Sequence, residues 1–266
     1  MSIIVEQACG GHRDFEVGAI DLSLEKGKLT ALIGPNGCGK STFLSLLAGL
    51  LPLRSGRVTF GDCDISKTSK RQLSKRLTLL PQHPVAPSGL TVAQLVHYGR
   101  APHQNMLGMR CAGDNEIVDQ SMQTAGVYAL RNRLLSDLSG GQRQRVFIAM
   151  GLAQDTPYFL LDEPTSFLDV RYQFEILDLL SSHTRAGRAC IVVLHDIAQA
   201  ARYADTLVIM KGGTIAAQGA PKYVLQPALL RSVYGIDAHV YSDPVSGTPV
   251  VTLASKEPSR SVKLSA

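Results

Sequence analysis

Residues 34 to 42 read GPNGCGKST, three glycines around a lysine and two hydroxyls, and they follow the apolar run LTALI directly. Gly34, four residues, then Gly39, Lys40 and Ser41 is the spacing of a phosphate-binding loop, in which backbone N–H groups wrap a polyphosphate at the start of a helix. Gly34, Pro35, Asn36, Gly37, Cys38 and Gly39 would form the cradle, Lys40 would reach the β- and γ-phosphates, and Ser41, with Thr42 beside it, would offer a hydroxyl to Mg²⁺. A glycine-rich turn with a solvated lysine is the plainer alternative, but it would not need the strand before or the helical run STFLSLLAGL after. Cys38, at a helix N-terminus beside Lys40, is expected to favour thiolate over thiol.

A phosphate loop alone leaves the reaction undefined. YFLLDEPTS ends an apolar strand in two adjacent acids, of which Asp162 would hold Mg²⁺, commonly through water, and Glu163 could polarise a water in line with the γ-phosphate. IVVLH places His195 at the end of another apolar strand, within reach of the same phosphate and its attacking water. A single histidine after a strand more often caps a helix or sits at the surface, so this residue gains meaning only from its company. LSGGQRQR places Ser139, Gly140, Gly141 and Gln142 at the opening of a helix, a second anion-binding N-terminus in one chain.

The elements that must position these groups alternate between helix and strand, which predicts an α/β domain with a mainly parallel sheet. Candidate strands cover residues 29–33, 57–60, 77–80, 158–161, 190–194 and 206–210, several of them continuous apolar runs, as a sheet covered on both faces demands. Residues from about 88 to 154 read as a helical insertion within one domain spanning 1–266, and about 220–266 as a small helix and strand appendage whose last residues, KEPSRSVKLSA, fray. The chain has 266 residues, 45% hydrophobic and 18% charged, enough for a substantial core. Its apolar runs fall short of the roughly 18 residues a membrane-spanning helix needs, and the N-terminus does not read as an export signal, so a soluble, unexported chain is expected. Five scattered cysteines without a Cys-x-x-Cys pair point to a reducing compartment without structural zinc or disulfides. The net charge of +5 does not choose among acidic partners, and the basic groups KTSKRQLSKR and RQR read as solvated helix faces rather than a nucleic-acid platform.

With the phosphate loop, LLPQ, LSGGQ, LLDEP, SFLD and the strand-end histidine in this order, the chain resembles the ATP-binding subunit of ATP-binding-cassette (ABC) transporters over nearly its whole length. The resemblance implies an α/β P-loop NTPase cassette with a mainly parallel core, an antiparallel β portion and a helical insertion. It implies ATP and Mg²⁺ as ligands, and a head-to-tail homodimer in which Ser139, Gly141 and Gln142 of one cassette close over ATP held by the other. Gln82 would reach the Mg²⁺ and the attacking water from a loop that also touches a membrane permease, Asp169 would link the two sites, and Glu163, His195, Gln82 and Lys40 would carry hydrolysis. LLPQHPVAPSGLTVAQLVHYGR, QGAPKYVLQPALLRSVYG and DPVSGTPVV resemble, more narrowly, the cassettes of bacterial ferric-siderophore, ferric-citrate and haem importers, with vitamin B12 import the near alternative. That branch implies separate permeases, a periplasmic or lipoprotein substrate-binding protein, a peripheral place on the cytoplasmic face of the inner membrane, and no nucleic-acid partner. A soluble cassette protein acting on DNA or ribosomes is the rival from another class. The family usually stacks adenine on an aromatic of its N-terminal strand. Here that position falls near Cys9 to Gly11, which leaves Phe15 as the nearby candidate.

Overall fold

The computed structural model describes residues 2–12, 15–104, 111–166 and 168–254. The C-terminal residues expected to fray lie outside the described residues. The chain opens with β1 (Ile3–His12), β2 (Phe15–Leu24) and β3 (Leu29–Ile33), then α1 (Lys40–Leu47), β4 (Ser55–Phe60), β5 (Cys63–Asp64), α2 (Lys70–Leu73) and β6 (Leu77–Leu80). Three helices follow, α3 (Val92–Tyr98), α4 (Asp114–Thr124) and α5 (Gly140–Ala153). Strand and helix then alternate through β7 (Tyr158–Asp162), α6 (Val170–Arg185), β8 (Ala189–Val193), α7 (Ile197–Tyr203), β9 (Thr206–Lys211) and β10 (Thr214–Gly219). The chain closes with α8 (Pro221–Val224), α9 (Pro227–Tyr234), β11 (Ala238–Ser242) and β12 (Pro249–Leu253).

The central sheet runs β10-β9-β3-β8-β7-β6, parallel throughout except for β10 at one edge. Its strands are apolar at nearly every position because each face meets a different core. Leu29, Ala31 and Ile33 of β3, Phe159 and Leu161 of β7, and Cys190 and Val192 of β8 pack with α3 to α7. The intervening Leu32, Leu160, Ile191 and Val193 pack instead with α1 and the strands β1, β2 and β4. A strand's side chains alternate between faces, so a continuous apolar run is what two covered faces require. Each fully buried aliphatic side chain contributes about 1.5–3 kcal/mol.

The second sheet, β2-β1-β4-β5, is antiparallel. The expected strand at 57–60 belongs here rather than in the parallel sheet. β1 is irregular, with register shifts between Val5 and Ala8 and between Ala8 and Gly10, and with Gln7 at φ 47°.

The three expected helices of the insertion pack on one another. Thr91 caps α3 and Ser139 caps α5, each through a reciprocal box with a glutamine, Gln94 and Gln142 respectively. Arg100, after α3, and Asp114, opening α4, form an ion pair at 2.8 Å with side chains only 7% and 2% exposed. Arg100 also donates to the Ala153 carbonyl at the end of α5, so one guanidinium ties all three helices. The appendage holds α8, α9 and the β11-β12 hairpin, with α7 against β12.

Candidate functional site

β3 delivers the chain to the phosphate loop, and α1 leaves it. Gly34 has φ 154°, and a Cβ there would lie 2.3 Å from the Met210 carbonyl oxygen of the neighbouring strand. Gly39 has φ 104° and caps α1, and its missing side chain admits the Phe15 ring, whose Cε1 would be 2.8 Å from a Cβ. Lys40 is 5% exposed and its Nζ donates to the carbonyls of Gly34 at 2.9 Å and Pro35 at 3.0 Å, which holds the ammonium inside the curl of the loop.

A cleft of about 530 Å³ opens over this loop, lined by Phe15, Asn36, Gly37, Gly39, Lys40, Ser41, Thr42, Gln82, Glu163 and His195. The residues come from the start of β2, the loop, the turn after β6 and the ends of β7 and β8. All were singled out in the sequence; the fold brings them together from stretches up to 180 positions apart (195 − 15).

Glu163 is the hub. Gln82 Nε2 donates to its Oε2 at 2.5 Å, His195 Nε2 lies 2.5 Å from its Oε1, and Ser166 donates to Oε2 at 3.1 Å. Its carboxylate is 9% exposed, whereas His195 is 45% exposed at the cleft mouth. The cap of α7 is made by Asp196, whose carboxylate accepts from the Ala198 and Gln199 amides, so His195 is not needed there and turns to Glu163. Ser166 was not singled out in the sequence. The signal that could have found it is its place three residues after Glu163 in DEPTS, where the Ser166 amide closes a turn onto the Glu163 carbonyl.

Asp162 and Glu163 are neighbours, and in a regular strand they would point to opposite faces. Tyr158 and Leu160 face α1, and Asp162 continues that row toward the Ser41 hydroxyl. Glu163 breaks the row with φ 50°, the left-handed region that costs a non-glycine residue roughly 1–2 kcal/mol, and this turn brings its carboxylate into the cleft, whereas Asp162 lies buried outside the lining. Burial pushes the Asp162 carboxyl above its ordinary value and the Glu163 charge adds to this, against the hydroxyl of Ser41 and the fields of Lys40 and His195. Its Oδ1 is buried without a hydrogen-bond partner. An orphaned carboxylate oxygen beside a serine hydroxyl fits a hard divalent cation such as Mg²⁺, and Ser41, Asp162 and Gln82 are the donors present.

Other expected residues lie elsewhere. Gly34, Pro35 and Cys38 form the back of the loop rather than the cleft lining, and Asp169 is exposed at the N-cap of α6. Ser139, Gly140, Gly141 and Gln142 are also outside this lining, at the N-terminus of α5. Ser139 Oγ accepts from the Gln142 amide while Gln142 Oε1 accepts from the Ser139 amide, which leaves the serine proton and the glutamine NH₂ as donors.

The expectation of a thiolate at Cys38 is overturned. The residue is 4% exposed, and burial raises its thiol pKa more than the nearby Lys40 ammonium, 3.9 Å away, lowers it. The solvated reading of RQR also fails at Arg145, whose guanidinium meets Glu175 and lies over the Tyr172 ring at 4.8 Å.

Among known proteins, the ABC transporter family profile matches residues 17–166. The achromobactin transport ATP-binding protein CbrD of Dickeya dadantii is 47% identical over 232 residues, covering 87% of this chain and 86% of that protein. The iron(3+)-hydroxamate import ATP-binding protein FhuC of Bacillus subtilis is 42% identical over 251 residues, 94% and 93% of the two chains. A solved ABC transporter in an inward-facing conformation superposes with TM-score 0.83 at 25% identity, covering 96% of this chain and 98% of its own. A loop that buries Lys40 in its own curl, a strand-end carboxylate turned into the cleft above it beside a second one buried near Ser41, and a separately capped LSGGQ helix therefore have a common explanation: the chain belongs to the ABC transporter family as one of its ATP-binding subunits.

Proposed function

We propose that this chain binds MgATP in the Gly34–Thr42 cleft and hydrolyses it, as a head-to-tail homodimer, to energise import of an iron(III) chelate through separate membrane permeases. The observation that carries the reading is the Glu163 carboxylate, held by Gln82, His195 and Ser166 at the cleft over Lys40. A carboxylate so oriented can position a water in line with the γ-phosphate and take its proton, with charge neutralisation by Lys40 and the loop amides supplying much of the acceleration. Ser41, Asp162 and Gln82 would hold Mg²⁺, which when bound supplies further neutralisation of the phosphate oxygens. Phe15, packed on Gly39 at the edge of the cleft, would stack on adenine.

The dimer is supported by the donors left free on Ser139 and Gln142, at an exposed helix N-terminus outside the chain's own cleft. A second copy supplies the phosphate they fit, with Asp169 exposed nearby in sequence to α6 to bridge the sites. For the permease, an apolar groove of about 600 Å³ opens beside Pro81, adjacent to Gln82, with Leu50 62% exposed at its wall and Leu73, Leu77 and Leu79 at its floor. Among the described residues no helix is long and apolar enough to cross a membrane, so the path itself belongs to partners, with a periplasmic or lipoprotein binding protein delivering the substrate. In this reading the chain sits peripherally on the cytoplasmic face, where ATP is available.

An iron(III) chelate is the substrate class that the iron(3+)-hydroxamate relative carries in its name. Deleting the gene and following growth and radiolabelled-iron uptake on ferric siderophores, citrate and haem, with cyanocobalamin alongside, tests it. Loss of one ferric chelate with other routes intact is expected. Loss of cobalamin uptake alone would move the substrate and leave the mechanism, and unchanged uptake with copurifying ribosomes or DNA would end the importer reading.

A further inference from the structure

The N-terminus of α5 is braced from within its own chain by the first turns of α6. Gly141 and Arg145 are four apart on α5 and so share one face. The Tyr172 ring lies across that face: a Cβ at Gly141 would sit 3.3 Å from Tyr172 Cδ2, and the Arg145 guanidinium lies 4.8 Å from the ring centroid. Glu175, three residues beyond Tyr172, meets the same guanidinium and also accepts from Arg171 at 2.8 Å. The adjacent glycine behaves differently, since a Cβ at Gly140 would meet nothing within 4 Å. One glycine of the pair is thus open to the outside and the other is covered by a ring of the same chain. A second tie runs from Gln144, whose Nε2 donates to the Pro164 carbonyl at 3.1 Å, directly after Glu163.

The brace joins two ends that act in different sites. Tyr172 stands three residues after Asp169 in the opening turn of α6, and Pro164 adjoins the residue that faces this chain's own cleft. Resting on the dimer reading above, we infer that Tyr172, fixed by Arg145 and Glu175, is a positioning residue that sets the angle of the Ser139–Gln142 turn toward the nucleotide of a second copy. A ring lying against a helix glycine and a guanidinium of the same helix is restrained by both contacts, and the cation–π contact adds attraction at a half-buried position. The turn needs such restraint because its contribution is geometric: its amides and the two free donors must meet phosphate oxygens on another molecule at hydrogen-bond distance. Loss of the ring leaves the α5 cap formed but frees its direction, so the cost falls on association across the dimer and not on nucleotide held in cis.

The test uses the chain carrying Glu163→Gln, in which ATP is expected to bind without turnover, with ATP-dependent dimerisation followed by sedimentation velocity and nucleotide binding by a fluorescent ATP analogue. Adding Tyr172→Ala is expected to weaken dimerisation at least tenfold while the nucleotide dissociation constant stays within twofold. Tyr172→Phe, which keeps the ring, should match the parent, and the swapped pair Arg145→Glu with Glu175→Arg should recover most of what Arg145→Glu alone loses. Parent-like dimerisation by Tyr172→Ala overturns the inference and leaves the dimer intact. A parallel loss of nucleotide binding, or of the cooperative melting transition, shows a structural role only and also overturns it. If the parent itself forms no dimer with ATP, the dimer reading falls and takes this inference with it.

Discussion

His195 Nε2 lies 2.5 Å from Glu163 Oε1, so the ends of two neighbouring parallel strands converge on one carboxylate. With Gln82 and Ser166 on the other oxygen, both acceptor atoms are restrained from rotating. Replacing Glu163 with Gln keeps size and hydrogen bonding but removes the base. ATPase activity of the assembled transporter should fall by about 10²–10⁴ while ATP binding persists. Phosphate release in single-turnover experiments checks this, and near-normal rates would remove Glu163 as the base. Lys40→Ala should instead lose nucleotide binding.

Phe15 rests on Gly39 at the cleft edge. Stacking on a base contributes about 1–3 kcal/mol, roughly five- to hundredfold in affinity. Phe15→Ala should therefore weaken ATP binding within that range while hydrolysis at saturation changes little. Calorimetric titration with ATP and with tripolyphosphate separates the base from the phosphates. An equal loss for both ligands would assign Phe15 to the support of Gly39 alone.

Arg100 and Asp114 form a pair with almost no exposure, tied to the end of α5 through Ala153. Removing one partner should cost about 3–5 kcal/mol, because the other charge stays buried. For Asp114, burial opposes ionisation, yet hydrogen bonds from Arg100 and the Cys111 amide outweigh it and hold the carboxyl below its ordinary value. A depressed folded pKa gives stability that is complete above the unfolded value, about 4, and lost as pH falls through the folded one. The gap between wild type and Asp114→Asn in urea melts should accordingly be constant from pH 7 to 5 and narrow below about pH 4. A gap that narrowed first near neutrality would assign the effect to another group.

Cys38 and Cys111 offer an internal comparison, one 4% exposed with a raised pKa and the other on the surface. Maleimide at neutral pH should label Cys111 well before Cys38 in the native chain, with similar rates after denaturation. Peptide mass mapping over time reads this directly. Fast native labelling of Cys38 would restore the thiolate first expected from its position.

Runs such as LTALI and CIVVL are legible as strands because two covered faces remove every polar position, leaving length and flanking residues to separate them from helix. β1 and β2 were not among the candidates. Two register shifts interrupt the alternation of β1, so no sustained period of two emerges there, whereas β2 alternates buried and exposed positions over residues 20–24, a signal that could have found it. At the site, the loop, the paired acids and LSGGQ are short contiguous motifs that carry their own spacing. Ser166 meets Glu163 through a local turn, but what joins Glu163 to Gln82 and His195 is strand order in the sheet, which places β6, β7 and β8 side by side although α3 to α6 separate them in the chain. Cys38 misled because helix polarity and a nearby lysine are visible in sequence, whereas burial depends on what covers the loop.

The left-handed backbone at Glu163 sets stability against activity at a single residue. Asparagine or glycine would relax the main chain there, and either would forfeit the reach by which the carboxylate meets Gln82 and His195. A β-branched residue would worsen the strain without giving anything back. Selection for thermal robustness alone would therefore drift away from glutamate at this position, and a stabilised variant that replaced it would be a better folder and a poorer motor.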